Sequence, residues 1–268
     1  MSPSSELTRP TTIHHQENVM GTVVTVDAYN DTGIAPEEYL PFLARAVTSL
    51  HQADKVFSTW KADSPVSRLR RGDITLGEAP GEVIDVLTLC REARDLTNGW
   101  FDPWAIPGGV DPTGYVKGWA AQRAVDELGD AGLTGAMVNA AGDIASFGGP
   151  ALGQPFRVGI VKPDARRELA CVVELRGALA TSGAYERGEH LVNPRTNSFE
   201  AGVASASVAG PDLGLADALA TALAVGGDEV LALIEGIAGY EGFTIAHDGQ
   251  WRWTPHFPFA HSRSGATP

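Results

Sequence analysis

Residues 136–183, AMVNAAGDIASFGGPALGQPFRVGIVKPDARRELACVVELRGALATSG, decide the fold class. Five short runs in it read as strands: AMVNA at 136–140, DIASFG at 143–148, FRVGIV at 156–161, ACVVEL at 170–175 and GALATSG at 177–183. Each is bounded by the Gly, Pro and Asp residues that make turns. Two more strand candidates follow, EHLVN at 189–193 and GVASASVA at 202–209. Helical patterns flank this region without alternating with it, so the chain reads as an α+β fold rather than as repeated βα units.

Upstream, residues 18–29 read as a strand, since VVTVDAY alternates. A helix is expected over 36–53, with Leu40, Leu43, Ala46, Val47 and Leu50 on one face and Pro41 in its first turns. A second spans 80–96 and stops at Asn98-Gly99, and a third spans 116–128. Downstream come helices over 213–225 and 229–237 and a closing hairpin, FTIAHDGQWRWT, at 243–254. Residues 1–17 and 261–268 are polar and rich in Ser and Pro or Gly, and read as mobile tails around a single domain, 18–260.

With 268 residues and 43% hydrophobic content, one domain of this size buries a large core without disulfides. Lys and Arg number 20 against 33 Asp and Glu, a net charge of −13. That balance, with the basic residues scattered, argues against nucleic acid, whose affinity depends on cations neutralising phosphates. The first 18 residues lack a signal-peptide apolar core, and no apolar run approaches the ~18 residues a membrane span needs. The expectation is a cytoplasmic protein without a membrane span, whose Cys90 and Cys171 are reduced, buried hydrophobes.

Three places hold residues with chemical potential. Asp217 and Thr221 in ADALATAL are four apart, so on a helix both oxygens leave one face, one turn apart. They suit a hard cation such as Mg²⁺, and they equally suit an Asp in a first turn and a Thr bonded to its own backbone. FDPWAIPGGVDPTGYVKG at 101–118 places a Gly- and Pro-rich loop before a helix whose first turn would hold Lys117 and Gly118. Such a junction favours an anion, although neither a P-loop nor a Rossmann spacing is present. His190, before Leu191-Val192-Asn193-Pro194-Arg195, reads as a strand-end imidazole facing a cleft or as a structural histidine.

In order along the chain, these pieces resemble the FAD:protein FMN transferase (ApbE) family. The residues carrying the likeness are Met20-Gly21-Thr22, FSTW with Ser64, Phe101-Asp102-Pro103, Val110-Asp111, Lys117-Gly118 and Asn139-x-x-Gly142-Asp143. Thr181-Ser182-Gly183, His190-x-x-Asn193-Pro194-Arg195-Thr196 and Ala216-Asp217-Ala218 with Thr221 complete the series. The resemblance implies two related halves with largely antiparallel sheets and flanking helices, enclosing FAD between them. It implies Mg²⁺-dependent transfer of FMN from FAD to a Thr or Ser hydroxyl of an acceptor flavoprotein, with AMP released. Some relatives hydrolyse FAD to FMN and AMP instead, and a non-catalytic flavin-binding protein would keep the same stacking residues.

Carried onto this sequence, the resemblance makes Met20, Trp60, Trp100, Phe101, Asp102, Asp111, Lys117 and Leu191 the FAD site. Gly114 and Ala220 through their carbonyls, with Asp217 and Thr221, would hold the metal, and His190 would accept the proton of the attacking hydroxyl. Trp60 stands where Tyr is usual, Ala141 where a second Gly is common, and Asn193 and Asn197 where Asp and Gly are usual in His-x-x-Asp-Pro-x-Thr-Gly. Asn193 removes a negative charge beside His190, so no raised basicity is assigned to that histidine. The family's acceptors carry a segment ending in Ser/Thr-Gly-Ala-Thr, which Ser264-Gly265-Ala266-Thr267 resembles.

Overall fold

The computed structural model describes residues 11–31, 33–183 and 191–260. Strands β1 (Thr11–Val19) and β2 (Thr22–Asn30) are followed by helices α1 (Pro36–Phe57), α2 (Pro65–Arg71), α3 (Gly81–Leu96) and α4 (Thr113–Gly129), then β3 (Gly135–Ala140) and β4 (Asp143–Gly148). A hairpin of β5 (Phe156–Val161) and β6 (Leu169–Leu175) precedes β7 (Ala178–Ser182), the two-residue β8 (Val192–Asn193) and β9 (Ser198–Phe199), and β10 (Ser205–Gly210). Helices α5 (Leu213–Gly226) and α6 (Asp228–Glu235) lead to β11 (Glu241–Ile245) and β12 (Trp251–Trp253).

Eight of these strands form one sheet in the order β1-β2-β3-β4-β7-β10-β11-β12, antiparallel at every pairing. The chain makes the same set of moves twice: two neighbouring strands, a helical excursion, two neighbouring strands. The halves join where β4 pairs with β7, Ile144 opposite Leu179. This is the α+β architecture of two related halves that the sequence leads one to expect.

The period of two along the strands makes two cores. Val24, Val26, Ala136, Val138, Ala178, Ala180, Ala206 and Val208 face the helices. Ile144, Leu179, Ala209, Phe243 and Ile245 face the other way, where Phe156, Ile160, Val173 and Leu175 of the β5-β6 hairpin and Phe257 cover them. Helix α5 has nearly every residue buried, which is why its sequence is apolar all round. Ala and Leu favour it intrinsically, and the Asp212 carboxylate caps it by accepting the Leu215 N–H at 2.9 Å. It crosses α4 closely at Gly118, where a Cβ would lie 2.3 Å from the Leu213 carbonyl oxygen.

Residues 11–17, expected in a mobile tail, form most of β1, and the strand expected over 18–29 is largely β2, its first four residues ending β1 and making the turn that joins the two as a hairpin. β1 is an edge strand whose interior, apart from Ile13, is Thr, His, Gln, Glu and Asn, so it lacks the apolar alternation by which strands are recognised. Its turn is Met20-Gly21, both at positive φ (55° and 69°), a two-residue loop that follows strand twist. Helix α4 starts at Thr113, three residues earlier than 116, which moves Lys117 to the second turn. Cys90 and Cys171 are free, Cys90 buried as expected and Cys171 only half-buried; burial pushes their thiols up to about 12 and about 11, so neither is a thiolate near neutrality. Among the described residues no helix is long and apolar enough to cross a membrane.

Candidate functional site

Two cavities share three lining residues, Asp111, Thr113 and Lys117. The larger, about 820 Å³, is bounded by Met20 and Gly21, by the last turn of α1 at Ala53, Asp54 and Phe57, and by residues 58–61. The smaller, about 140 Å³, lies among residues 100–103, the start of α4, the end of β7, Leu191-Val192, and Asp217 and Thr221 of α5.

The candidate residues therefore come together across long sequence separations. Met20 and Trp60 line the larger cavity, and Asp111 and Lys117 line both. Trp100, Phe101, Asp102, Leu191, Gly114, Asp217 and Thr221 line the smaller. Ala220 is fully buried in α5, beside Thr221. His190 and the segment 264–267 lie outside the described residues.

Local structure explains these placements. The Trp60 ring is 95% exposed, an apolar surface of that size open to a planar ligand. Its loop is anchored by the Ser58 carbonyl, which accepts hydrogen bonds from the hydroxyls of Ser64 (2.5 Å) and Ser67 (3.0 Å). Asp111, just ahead of the Pro112 that precedes α4, accepts the Thr113 N–H at 3.0 Å. The start of α4 thereby reaches both cavities through Thr113 and Lys117.

Each acidic group at the smaller cavity has a cation against it. Asp143, wholly buried, is ion-paired with Lys117 and accepts the Thr181 N–H at 3.0 Å. The Lys117 ammonium is also 3.9 Å from Asp217. Arg94 pairs with Asp102 and Arg70 with Asp111, both at 3.0 Å. Arg195 stacks on the Trp100 ring, 3.8 Å from its centroid, and grips Glu229 with both terminal nitrogens (3.1 and 2.7 Å). The Trp100 indole N–H donates to the same carboxylate at 3.1 Å. These hydrogen bonds, Arg195 first and Trp100 second, hold the Glu229 carboxyl below the usual glutamate range.

The donor set at Asp217 fits a hard cation. Its carboxylate is 2% exposed yet lines the cavity. Oδ2 accepts the Gly118 N–H at 3.1 Å, a proton that a regular helix directs to the Gly114 carbonyl. A Cβ on Gly114 would stand 3.3 Å from the Thr221 hydroxyl, so the absent side chain leaves room beside Thr221 in the cavity that Asp217 also lines. Among the described residues no three His, Cys, Asp or Glu gather as a metal cluster, and this set of one carboxylate with neutral oxygens is of a different kind.

Sequence reading singled out neither Arg70 nor Arg94, and assigned no role to Asp143, Glu229 or Arg195. Asp143 and Arg195 lie inside quoted motifs, and that was their signal. Arg70 sits in RLRRGD, outside every motif quoted above. Thr113 and Ser182 also line the smaller cavity.

A family model described as the ApbE family matches residues 20–107 and 106–243. An FAD:protein FMN transferase of Rhodobacter capsulatus is 35% identical over 156 residues, 54% of this chain and 30% of that protein. A protein of the same name from Salmonella typhimurium is 29% identical over 152 residues, 53% of this chain and 43% of that one. The chain thus spans less than half the length of these two relatives. In fold, the ApbE protein of Thermotoga maritima superposes with a TM-score of 0.78 at 20% identity, covering 91% of this chain and 97% of that one. The flavin transferase ApbE of Vibrio cholerae gives 0.78 at 21% identity, over 92% and 98%. Matched by the family model across residues 20–243 and sharing this fold, the chain belongs to the ApbE family.

Proposed function

We propose that this protein transfers FMN from FAD to a Thr or Ser hydroxyl of an acceptor flavoprotein. The observation that carries the reading is the pair of cavities meeting at Asp111, Thr113 and Lys117: an open aromatic surface at Trp60 on one side, and Asp217 and Thr221 beside Gly114 on the other. A dinucleotide has that division, with apolar rings flanking a charged pyrophosphate. The names of the relatives from R. capsulatus and S. typhimurium point the same way.

In this reading Met20, Trp60, Trp100, Phe101, Asp102, Asp111, Lys117 and Leu191 hold FAD. Asp217, Thr221 and the carbonyls of Gly114 and Ala220 would hold Mg²⁺, which supplies charge neutralisation at the pyrophosphate when bound. Lys117, fixed by Asp143, presents a positive charge toward the same oxygens. The acceptor hydroxyl oxygen bonds to the FMN-side phosphorus as the anhydride P–O bond breaks; AMP leaves, and His190 takes the hydroxyl proton. Positioning supplies most of the rate in such transfers.

The test is mass spectrometry of candidate acceptors carrying a Ser/Thr-Gly-Ala-Thr segment after incubation with the protein, FAD and Mg²⁺. An FMN adduct on the Thr or Ser, with equimolar AMP, is expected, and Asp217→Asn should abolish its metal-dependent formation. AMP formed equally without acceptor, and no adduct, would make the protein an FAD pyrophosphatase. FAD bound with no AMP under any condition would make it a flavin-binding protein.

A further inference from the structure

Arg68 and Arg71 at the end of α2 are exposed, whereas the Arg70 side chain between them is only 17% exposed. Its Nη1 donates to the Val110 carbonyl at 3.2 Å and lies 3.0 Å from the Asp111 carboxylate; Nη2 donates to the Pro107 carbonyl at 3.2 Å. One guanidinium thus holds three acceptors of a single loop. The loop is shaped to receive it. Gly108 and Gly109 have φ of 86° and 104°, and a Cβ on them would come within 3.1 Å of Nη2 and 3.3 Å of the Arg70 carbonyl oxygen. The other end of α2 fastens the Trp60 loop through Ser64 and Ser67.

We infer that Arg70 is a positioning residue for the dinucleotide: it latches residues 107–111 onto α2 and so sets the neck between the two cavities. The inference rests on the proposed FAD site. The latch does two things. It ties two carbonyls of the loop to α2, and it neutralises Asp111, which lines both cavities, where a pyrophosphate must pass. Lysine, a single point charge, cannot span the three acceptors that the planar fork reaches.

Compare the parent with Arg70→Met and Arg70→Lys, measuring amide hydrogen exchange without ligand, FAD affinity by flavin fluorescence with Mg²⁺, and the split between kcat and KM. Arg70→Met should speed exchange in 106–113 while α5 and β3 stay protected. It should weaken FAD about tenfold or more, the scale of lost charged hydrogen bonds. KM should rise more than kcat falls, and Arg70→Lys should fall between parent and Met in affinity. Unchanged exchange in the loop overturns the latch. So does faster exchange spread over the whole sheet, which marks an ordinary structural residue, or FAD affinity equal to the parent's. Should the parent bind no FAD, the functional reading fails, while loop exchange still decides whether Arg70 holds the loop.

Discussion

The Asn193 side chain donates to the Glu200 carboxylate at 2.5 Å, and its own carbonyl oxygen accepts the Arg195 N–H at 2.9 Å. Asn193 is 7% exposed, so both ends of the amide are used in the interior of the β8-β9 hairpin. This accounts for an amide where the family pattern has Asp: beside Glu200, a second carboxylate would put two negative charges in contact.

Asn193→Asp should therefore destabilise the protein by at least about 1 kcal/mol near neutrality, the scale of a buried polar group losing its partner. The loss should shrink in acid, where one carboxyl protonates, and Glu200→Gln should restore most of it. Urea unfolding at two pH values checks this; equal stability of Asn193→Asp and the parent at pH 7 would show that the two groups are not coupled.

Ala141 gives a second case of a departure with structural consequences. It forms a two-residue turn with Gly142 between β3 and β4, at φ 54°, where a Cβ is strained and glycine is not. Ala141→Gly should raise stability by about 1 kcal/mol, because relieved strain outweighs the added freedom of the unfolded chain. A lower melting temperature would be contrary to the argument.

These two turns show where the sequence was legible. Helix α5 and strands β3 to β7 follow directly from period and punctuation, and the ordered motifs mark nearly all the cavity-lining candidates. β1 was missed because an edge strand needs no apolar face, and its pairing with β2 depends on the Met20-Gly21 turn. The ion pairs of the site were missed for another reason. Arg70 meets Asp111 across 41 positions and Lys117 meets Asp143 across 26, and neither spacing leaves a trace in local pattern.

Glu229 gives a pH prediction. Its carboxyl lies below the ordinary value of 4.5 in the folded chain, chiefly through Arg195, so it adds stability that is fully present above 4.5 and lost as pH falls through the lower folded value. The stability difference between the parent and Glu229→Gln should be constant above about pH 5 and decline toward zero in stronger acid. The group is exposed, so the effect is small and best read from melting curves across that range. A difference that grows as pH falls would have the wrong sign.

The Lys117–Asp143 pair offers the sharpest test of the site's electrostatics. Asp143 is wholly buried between the Thr181 N–H and the ammonium, and the Lys117 side chain is 18% exposed. Lys117→Met should cost about 3 kcal/mol, because removing one partner of a buried pair leaves an uncompensated charge rather than merely deleting an attraction. Asp143→Asn keeps the acceptor for Thr181 and lifts that charge, so in the Lys117→Met background it should recover most of the loss. The ammonium also lies 3.9 Å from Asp217, which keeps its own charge in both variants, so recovery should be incomplete. A double-mutant cycle by urea unfolding reads the coupling directly. Additive losses would mean that the two side chains do not depend on each other, and that Lys117 is not held at the cavity through Asp143.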